Sequence, residues 1–208
     1  MTDSSSLQAD SKRLGVELSA ADADKLRVLA TELAEWSQRF NLTSIPADQT
    51  LTHHVLDSLS VGPYLNGRRV LDVGTGAGFP GLPLAVAFPE REFLLMDATR
   101  KKLAFVEHVI AKLELGNVTT LHARAEQFRP PRPFDTVVAR ALSKLDQFIA
   151  FSGHLCAPGG RLLAMKGRSP DGEIKALPRG WKVLAVHRVE VPGLGAERHI
   201  VELARENK

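Results

Sequence analysis

The sequence predicts an α/β fold: a mostly parallel seven-stranded sheet with an antiparallel edge strand, helices on both faces and an N-terminal helical extension. Three observations predict it. Short apolar runs alternate with stretches of helical periodicity from Val70 onward, the pattern of a doubly wound sheet. Three glycines at alternate positions, Gly74, Gly76 and Gly78, follow the first of these runs and precede a second apolar stretch, as in a strand, a tight turn and a helix. Two late runs, residues 181–191 and 199–203, have no good helical segment between them, which suggests an antiparallel edge.

Taken in order, residues 1 to about 18 read as a loose polar start. Ser19 with Asp22 forms a capping signal, and Leu26, Leu29, Leu33, Trp36 and Phe40 then recur at helical spacing. The segment Asn-Leu-Thr-Ser-Ile-Pro at 41–46 breaks that helix, and a second short helix is expected over 49–60. The turn signal Asn66-Gly67 divides an extension, residues 1–66, from the main domain, residues 67–208. From there a strand is predicted over 70–73, a helix over 79–88, a strand over 93–96 ending at Asp97, and a helix over 100–115 stopped by Gly116. Strands follow over 118–122 and 136–139, then a helix over 145–155 ended by Pro158-Gly159-Gly160, and a strand over 161–165. Ligands of such sheets bind beyond the carboxyl ends of the strands, where the strand order reverses.

Composition narrows the class. At 208 residues, with 44% hydrophobic and 25% charged residues, the chain suits one sizeable domain with an extension. A net charge of +3 with a pI near 9.2 permits a nucleic-acid partner without showing one. The single cysteine, Cys156, excludes a disulfide framework and a cysteine zinc site. The polar start lacks the basic and apolar regions of a signal peptide, and no apolar run approaches membrane-spanning length, so a soluble, cytoplasmic protein is expected.

The glycine turn carries the most chemistry. Glycines let backbone approach a ligand closely. Counted from Gly74, the third glycine of a dinucleotide fingerprint would fall on Phe79; the frame Gly76, Gly78, Gly81 fits but starts two residues past the strand end. No Gly-Lys-Ser/Thr follows, so a phosphate P-loop is absent. The run Asp-x-Gly-x-Gly-x-Gly from Asp72 looks like the first motif of S-adenosylmethionine (SAM) methyltransferases. Asp97, about twenty residues on, is placed to accept the ribose hydroxyls of an adenosine cofactor or to cap the next helix. Ala125 and Glu126 follow the third strand, where this architecture faces the adenine; an exposed loop is the alternative for Glu126. Arg140 follows the fourth strand, at a place that usually holds catalytic residues.

Two absences bear on the acceptor. The Asn/Asp-Pro-Pro-Tyr/Phe motif that orients exocyclic amines is missing, and Cys156 lies in an apolar segment that reads as core, not as the nucleophile of pyrimidine C5 methylation. An acceptor needing little activation fits: guanine N7 has a free lone pair and no proton to lose, so catalysis would rest on positioning. Other nitrogen, oxygen and sulfur acceptors remain open on this ground. Basic residues recur beside the predicted rim: Arg100, Lys101, Lys102, Arg124, Arg129, Arg132, Arg140, Lys166, Arg168 and Arg198. Their convergence suits a phosphate backbone, while each alone reads more readily as solvated surface. His53-His54 with Asp57 has too few ligands for a metal site; helix packing or a lip over the site fits better. Trp36 and Phe40 read as core, not as base-stacking platforms.

The chain resembles the RsmG (GidB) family of bacterial small-subunit ribosomal RNA methyltransferases over nearly its whole length. The resemblance is carried by Trp36, Asn-Leu-Thr-Ser-Ile at 41–45, His-Val-Leu-Asp-Ser-Leu at 54–59, the glycine motif with its extension to Pro83, Asp97 with Lys101-Lys102, Ala125-Glu126, Ala139-Arg140-Ala141, Lys166-Gly167, and Glu-Arg-His-Ile-Val at 197–201. It implies a class I SAM-dependent methyltransferase (Rossmann-like) fold and methyl transfer from SAM to guanine N7 in the decoding-centre loop of 16S ribosomal RNA. It further implies cofactor contacts at Gly74, Phe79, Ala125, Glu126 and Arg140, beside those read directly at Gly76, Gly78 and Asp97. Substrate-side, catalytic roles are implied for Arg124, Lys166 and Arg198, with Asn41 also on that side. The expected partner is 16S ribosomal RNA or the small ribosomal subunit, with no membrane and no metal, and the expected state a monomer. The other readings are a methyltransferase acting on a small molecule or protein, and a non-catalytic ribosomal RNA-binding assembly factor.

Overall fold

A computed structural model describes residues 4–140 and 144–206. Met1 to Asp3 of the polar start, and Ala141 of the segment after the fourth strand, lie outside the described residues.

Seven strands form one sheet: β1 Arg69–Val73, β2 Glu92–Asp97, β3 Val118–His122, β4 Phe134–Arg140, β5 Cys156–Lys166, β6 Trp181–Val189 and β7 Arg198–Arg205. Their order is β3-β2-β1-β4-β5-β7-β6. The first five run parallel, so Val73, Asp97, His122, Arg140 and Lys166 all end at one edge of the sheet. The order reverses between β1 and β4, as a ligand-binding doubly wound sheet requires. The antiparallel edge is a β6–β7 pair in which β7 is the reversed strand and lies between β5 and β6. Because β7 is reversed, its first residues lie beside the end of β5, with Lys166 opposite His199. Arg198 therefore reaches the same edge as the parallel strand ends.

Side chains of a strand alternate between faces, and the core divides accordingly. Val70, Leu95, Val138, Leu163 and Ile200 point to one face, with α1 Ser4–Arg13, α2 Ala20–Phe40, α4 Gly81–Ala87 and α5 Arg100–Lys112. Leu71, Met96, Val137, Leu162 and Val201 point to the other, against α6 Leu145–Ser152.

The start of the chain departs from expectation. Residues 4–13 form α1, with Leu7 fully buried and Gln8 donating to the Leu18 carbonyl at 2.9 Å. One apolar side chain and a few polar ties to α2 hold a helix that is otherwise polar, which is why periodicity did not reveal it. α2 begins as predicted, with a capping box between Ser19 and Asp22, and ends where Asn41 turns left-handed (φ 44°). Phe40 is not core: on the last turn of α2 it is 51% exposed, with its ring 5.5 Å from that of Trp36. Trp36 itself packs on Phe105 of α5.

The expected second helix, 49–60, is not one α-helix. A 3-10 turn at Ala47–Gln49 leads into a π-helical turn at Leu51–Leu56 and a short α3 at Asp57–Leu59. π-helical winding frequently marks functional sites. α4 is shorter than predicted, beginning only at Gly81. α5 stops at Lys112, short of Gly116, because Glu114 takes a left-handed conformation (φ 54°). α6 gives way at Gly153 to a 3-10 turn, and β5 begins at Cys156, so Pro158, Gly159 and Gly160 lie within a strand and do not terminate the helix. A further short helix, α7, spans Asp171–Ile174 after β5.

Candidate cofactor and substrate site

The glycine turn leaves β1 with three left-handed residues, Gly74 (φ 70°), Gly76 (φ 60°) and Gly78 (φ 88°). The amides of Gly74 and Thr75 donate to the Met96 carbonyl at 2.8 and 3.0 Å, which pins the turn to the end of β2. The turn's glycines then divide by what surrounds them. A Cβ on Gly74 would meet nothing within 4 Å, and one on Gly76 would only graze the Gly74 carbonyl at 4.0 Å. A Cβ on Gly78 would lie 2.3 Å from Leu82, and one on Gly81 2.7 Å from Leu95. Gly74 and Gly76 face open space; Gly78 and Gly81 let α4 pack onto the sheet.

Two carboxylates flank this turn. Asp97, at the end of β2, accepts the Gly76 amide on Oδ2 at 2.8 Å and the Thr99 amide on Oδ1 at 2.7 Å. It does not cap α5, whose N-cap is Thr99 with no side-chain bond. Asp72, in β1, is fully buried and accepts Thr75 Oγ1 at 2.6 Å and the Gly81 amide at 2.8 Å, both on Oδ2. Its other oxygen, Oδ1, is buried with no partner. Burial pushes this carboxyl up to about 6, against the pull of those two bonds and of Arg140. A cavity of about 230 Å³ opens over Gly74 and Asp97, closed on the far side by Arg124, Ala125, Glu126 and Phe151. Ala125 is buried, whereas Arg124 and Glu126 are exposed.

These residues fit SAM. The two open glycines leave room for a ligand against backbone, and a strand-end carboxylate in the cavity wall is placed for ribose hydroxyls.

A second cavity, about 560 Å³, lies over the ends of β4 and β5 and the start of β7, roofed by residues 41–45 and the π-helical turn. Arg140, Lys166, Arg198 and Asn41 line it together with His53, His54 and Asp57. Arg124 is not among these residues; it borders the cofactor-side cavity instead. Three cations expected to act together thus divide between two neighbouring cavities.

The charges of this second cavity are paired. Arg140 donates to the His53 carbonyl at 3.2 Å, to Asp57 Oδ2 at 3.3 Å and to His54 Nδ1 at 2.9 Å, and its guanidinium lies 5.3 Å from the centre of the Phe79 ring. Arginine only donates, so His54 Nδ1 must carry a lone pair and its Nε2–H donates to Thr43 Oγ1 at 2.7 Å. Burial, with Arg140 and His53 nearby, pushes His54 down to about 4, so it is neutral. Its ring stacks on Phe79 at 4.7 Å. Phe79 thereby packs beneath the second cavity. Lys166 pairs with Glu173 at 2.8 Å, and Arg198 Nε donates to Asp57 Oδ1 at 2.6 Å.

Sequence reasoning read His54 and Asp57 as helix packing or a lip over the site and assigned neither a contact; their bonds to Arg140 and Arg198 are what it missed. Among the described residues no group of three or more His, Cys, Asp or Glu side chains is placed to hold a metal. Cys156 is buried at the start of β5, and burial pushes its thiol up to about 11.

A family model described as rRNA small subunit methyltransferase G (GidB) matches residues 22–201. A ribosomal RNA small subunit methyltransferase G from Nitrosococcus oceani is 46% identical over 191 residues, spanning 91% of this chain and 89% of its own. One from Azoarcus is 45% identical over 194 residues, 92% of each chain. Among solved structures, the glycopeptide N-methyltransferase MtfA with bound S-adenosylhomocysteine aligns with a TM-score of 0.63 at 15% identity, over 74% of this chain and 87% of its own. That likeness is one of fold alone. TrmN from Thermus thermophilus aligns with a TM-score of 0.56 at 25% identity, over 72% of this chain and 47% of its own. The fold is that of the class I SAM-dependent methyltransferases.

Proposed function

The chain belongs to the ribosomal RNA small subunit methyltransferase G family, a SAM-dependent ribosomal RNA methyltransferase, and we propose that its acceptor is N7 of a guanine in the decoding-centre loop of 16S RNA. One observation carries the choice of acceptor: of the groups around the second cavity that could take a proton, all but His53 are already engaged. His54 uses both ring nitrogens, Asp57 holds two guanidiniums, and Lys166 is paired with Glu173. Such a cavity suits an acceptor that has a free lone pair and loses no proton.

When bound, SAM supplies an electrophilic methyl on a cationic sulfur. The chain's own residues do the rest by placement. Gly74 and Gly76 admit the cofactor against bare backbone, and Asp97 orients its ribose. Ala125 and Glu126 border the adenine, and Arg124 stands exposed at the rim of the same cavity, where it meets the incoming RNA. Arg198, Lys166 and Asn41 hold the RNA from the other side, while Arg140 and Phe79 form the floor between donor and acceptor. Residues 1–66 are an extension, of which the segments 41–45 and 53–57 roof the methyl-transfer unit, residues 67–208. Both cavities are lined by residues of one chain, which supports action as a monomer. No described helix is long and apolar enough to cross a membrane, consistent with work in the cytoplasm on the small subunit or its RNA.

His53 supplies the test. Its Nδ1 is buried without a partner, so it is the remaining candidate base among the described residues of this cavity. Single-turnover methylation of small-subunit RNA, followed across pH 5.5 to 8.5, is expected to keep the same profile in His53→Ala as in the parent. Loss of an ionisation with the histidine would sink the base-free mechanism. Mapping the methyl to a pyrimidine carbon or an exocyclic nitrogen would sink the choice of acceptor.

A further inference from the structure

The cavity over β4, β5 and β7 contains one anion that touches two of its cations. Asp57 is 3% exposed. Its Oδ1 accepts Arg198 Nε at 2.6 Å and its Oδ2 faces Arg140 Nη1 at 3.3 Å. Arg140 ends β4 and Arg198 begins β7, and these strands are not neighbours, since β5 lies between them. The carboxylate that bridges them comes from the extension, 83 residues before one arginine and 141 before the other.

The arginines are held in different ways. Arg140 has three other anchors in the His53 carbonyl, His54 Nδ1 and the Phe79 ring, so Asp57 completes a fixed arrangement. Among the described residues Arg198 has besides only the neighbouring Glu197 carbonyl, on Nη1 at 2.9 Å. With Nε committed to Asp57, the orientation of its guanidinium plane is set, and its remaining N–H bonds are available to a ligand. A guanidinium offers five N–H donors in one rigid plane, so fixing one edge aims the others. Without the anion the two cations would repel, and Arg198 would retain, among the described residues, no acceptor from another part of the chain.

We infer that Asp57 is a positioning residue for methyl transfer: it locks Arg198 against Arg140 so that the outward edge of the Arg198 guanidinium meets the RNA in the geometry for transfer. The inference rests on the functional reading above. Asp57 touches neither cofactor nor acceptor and acts through Arg198.

A double-mutant cycle tests it, with Asp57→Asn, Arg198→Gln, the double variant and the parent compared by single-turnover methylation of small-subunit RNA and by SAM titration. Each single variant is expected to transfer methyl on the order of 100-fold more slowly, the scale of lost orientation. The double variant should be no more than about threefold slower than the worse single one, because both substitutions remove the same aimed group. SAM affinity should stay within about threefold throughout, which a general structural defect would not allow. Multiplied losses, SAM affinity falling in step with rate, or Asp57→Asn at the parent rate would each overturn the inference. Should Asp57→Asn alone fail to fold, the double variant, with one cation fewer to balance, is compared with Arg198→Gln. Equal rates support the inference and a tenfold lower rate overturns it. A parent that methylates no small-subunit RNA removes the functional reading, and this inference with it; an active parent with an equally active Asp57→Asn removes the inference alone.

Discussion

At the scale of the residue, similar glycines in one turn do different work. Gly76 opens toward the cofactor space, and Gly78 is pressed against Leu82. Gly76→Val is therefore expected to weaken SAM at least tenfold in a calorimetric titration while the sheet still folds, because it fills that space and strains a left-handed backbone. Gly78→Ala should instead cost about 2–4 kcal/mol in denaturant unfolding, from strain and overpacking together. The pair fails if the two variants exchange phenotypes. A second contrast concerns charge. Asp72 in the folded protein titrates near 6, above its ordinary 3.8, so between those values the folded state holds more protons than the unfolded one. Its contribution to stability therefore falls as pH rises through that window. His54 is the reverse: lowered to about 4 from 6.5, it leaves the unfolded state with more protons, and its contribution rises with pH. The two oppose each other between pH 4 and 6. Asp72→Asn removes the falling term, so its stability should climb more steeply across that range than the parent's. Parallel urea curves at pH 4.5 and 6 would refute the assignment.

At the scale of the element, legibility followed the range of the interactions. β1, β2, β4 and β5 announced themselves because each buries both faces and reads as an apolar run. The α2 start was legible because its cap is local, Ser19 to Asp22. α1 was not, since a single buried leucine and polar ties such as Ser4 to Asp24 leave no periodic signal. The same helix gives a test: Leu7→Ala should cost about 2–5 kcal/mol, the scale of a buried leucine truncation. A surface-like effect below 0.5 kcal/mol would mean that α1 is not docked. The π-helical turn was also hidden, because its winding serves contacts made elsewhere: it presents the His53 carbonyl, His54 Nδ1 and, at its end, Asp57 to one arginine. Of the site, the strand-end residues Asp97, Arg140 and Lys166 could be placed from the strand pattern. The pairing of Asp57 with Arg198 could not, because it joins positions 141 residues apart and involves charges that look solvated in isolation.

At the scale of the whole molecule, the cations fall into two populations. Arg140, Lys166 and Arg198 are tied to carboxylates, whereas Lys101, Arg124 and Arg168 are exposed around the same sheet edge. The exposed set should govern affinity for RNA and its salt dependence. Lys101→Ala and Arg168→Ala are each expected to reduce the slope of log affinity against log salt by about one unit, with turnover preserved at saturation. Arg198→Ala should lower turnover more than affinity. Slopes unchanged in the exposed variants would place the RNA on another face. The sheet order has a consequence of a different kind. β7 is made after β6, yet it fills the place between β5 and β6, so β6 waits without a sheet partner until β7 arrives. During synthesis the apolar flank of β5 stays uncovered until then, an open edge able to pair with other chains. A premature stop a few codons before Arg198 thus does more than delete one arginine. It releases a protein that has its glycine turn and both flanking carboxylates but cannot close its sheet, and whose fate is decided by aggregation and proteolysis before chemistry is reached.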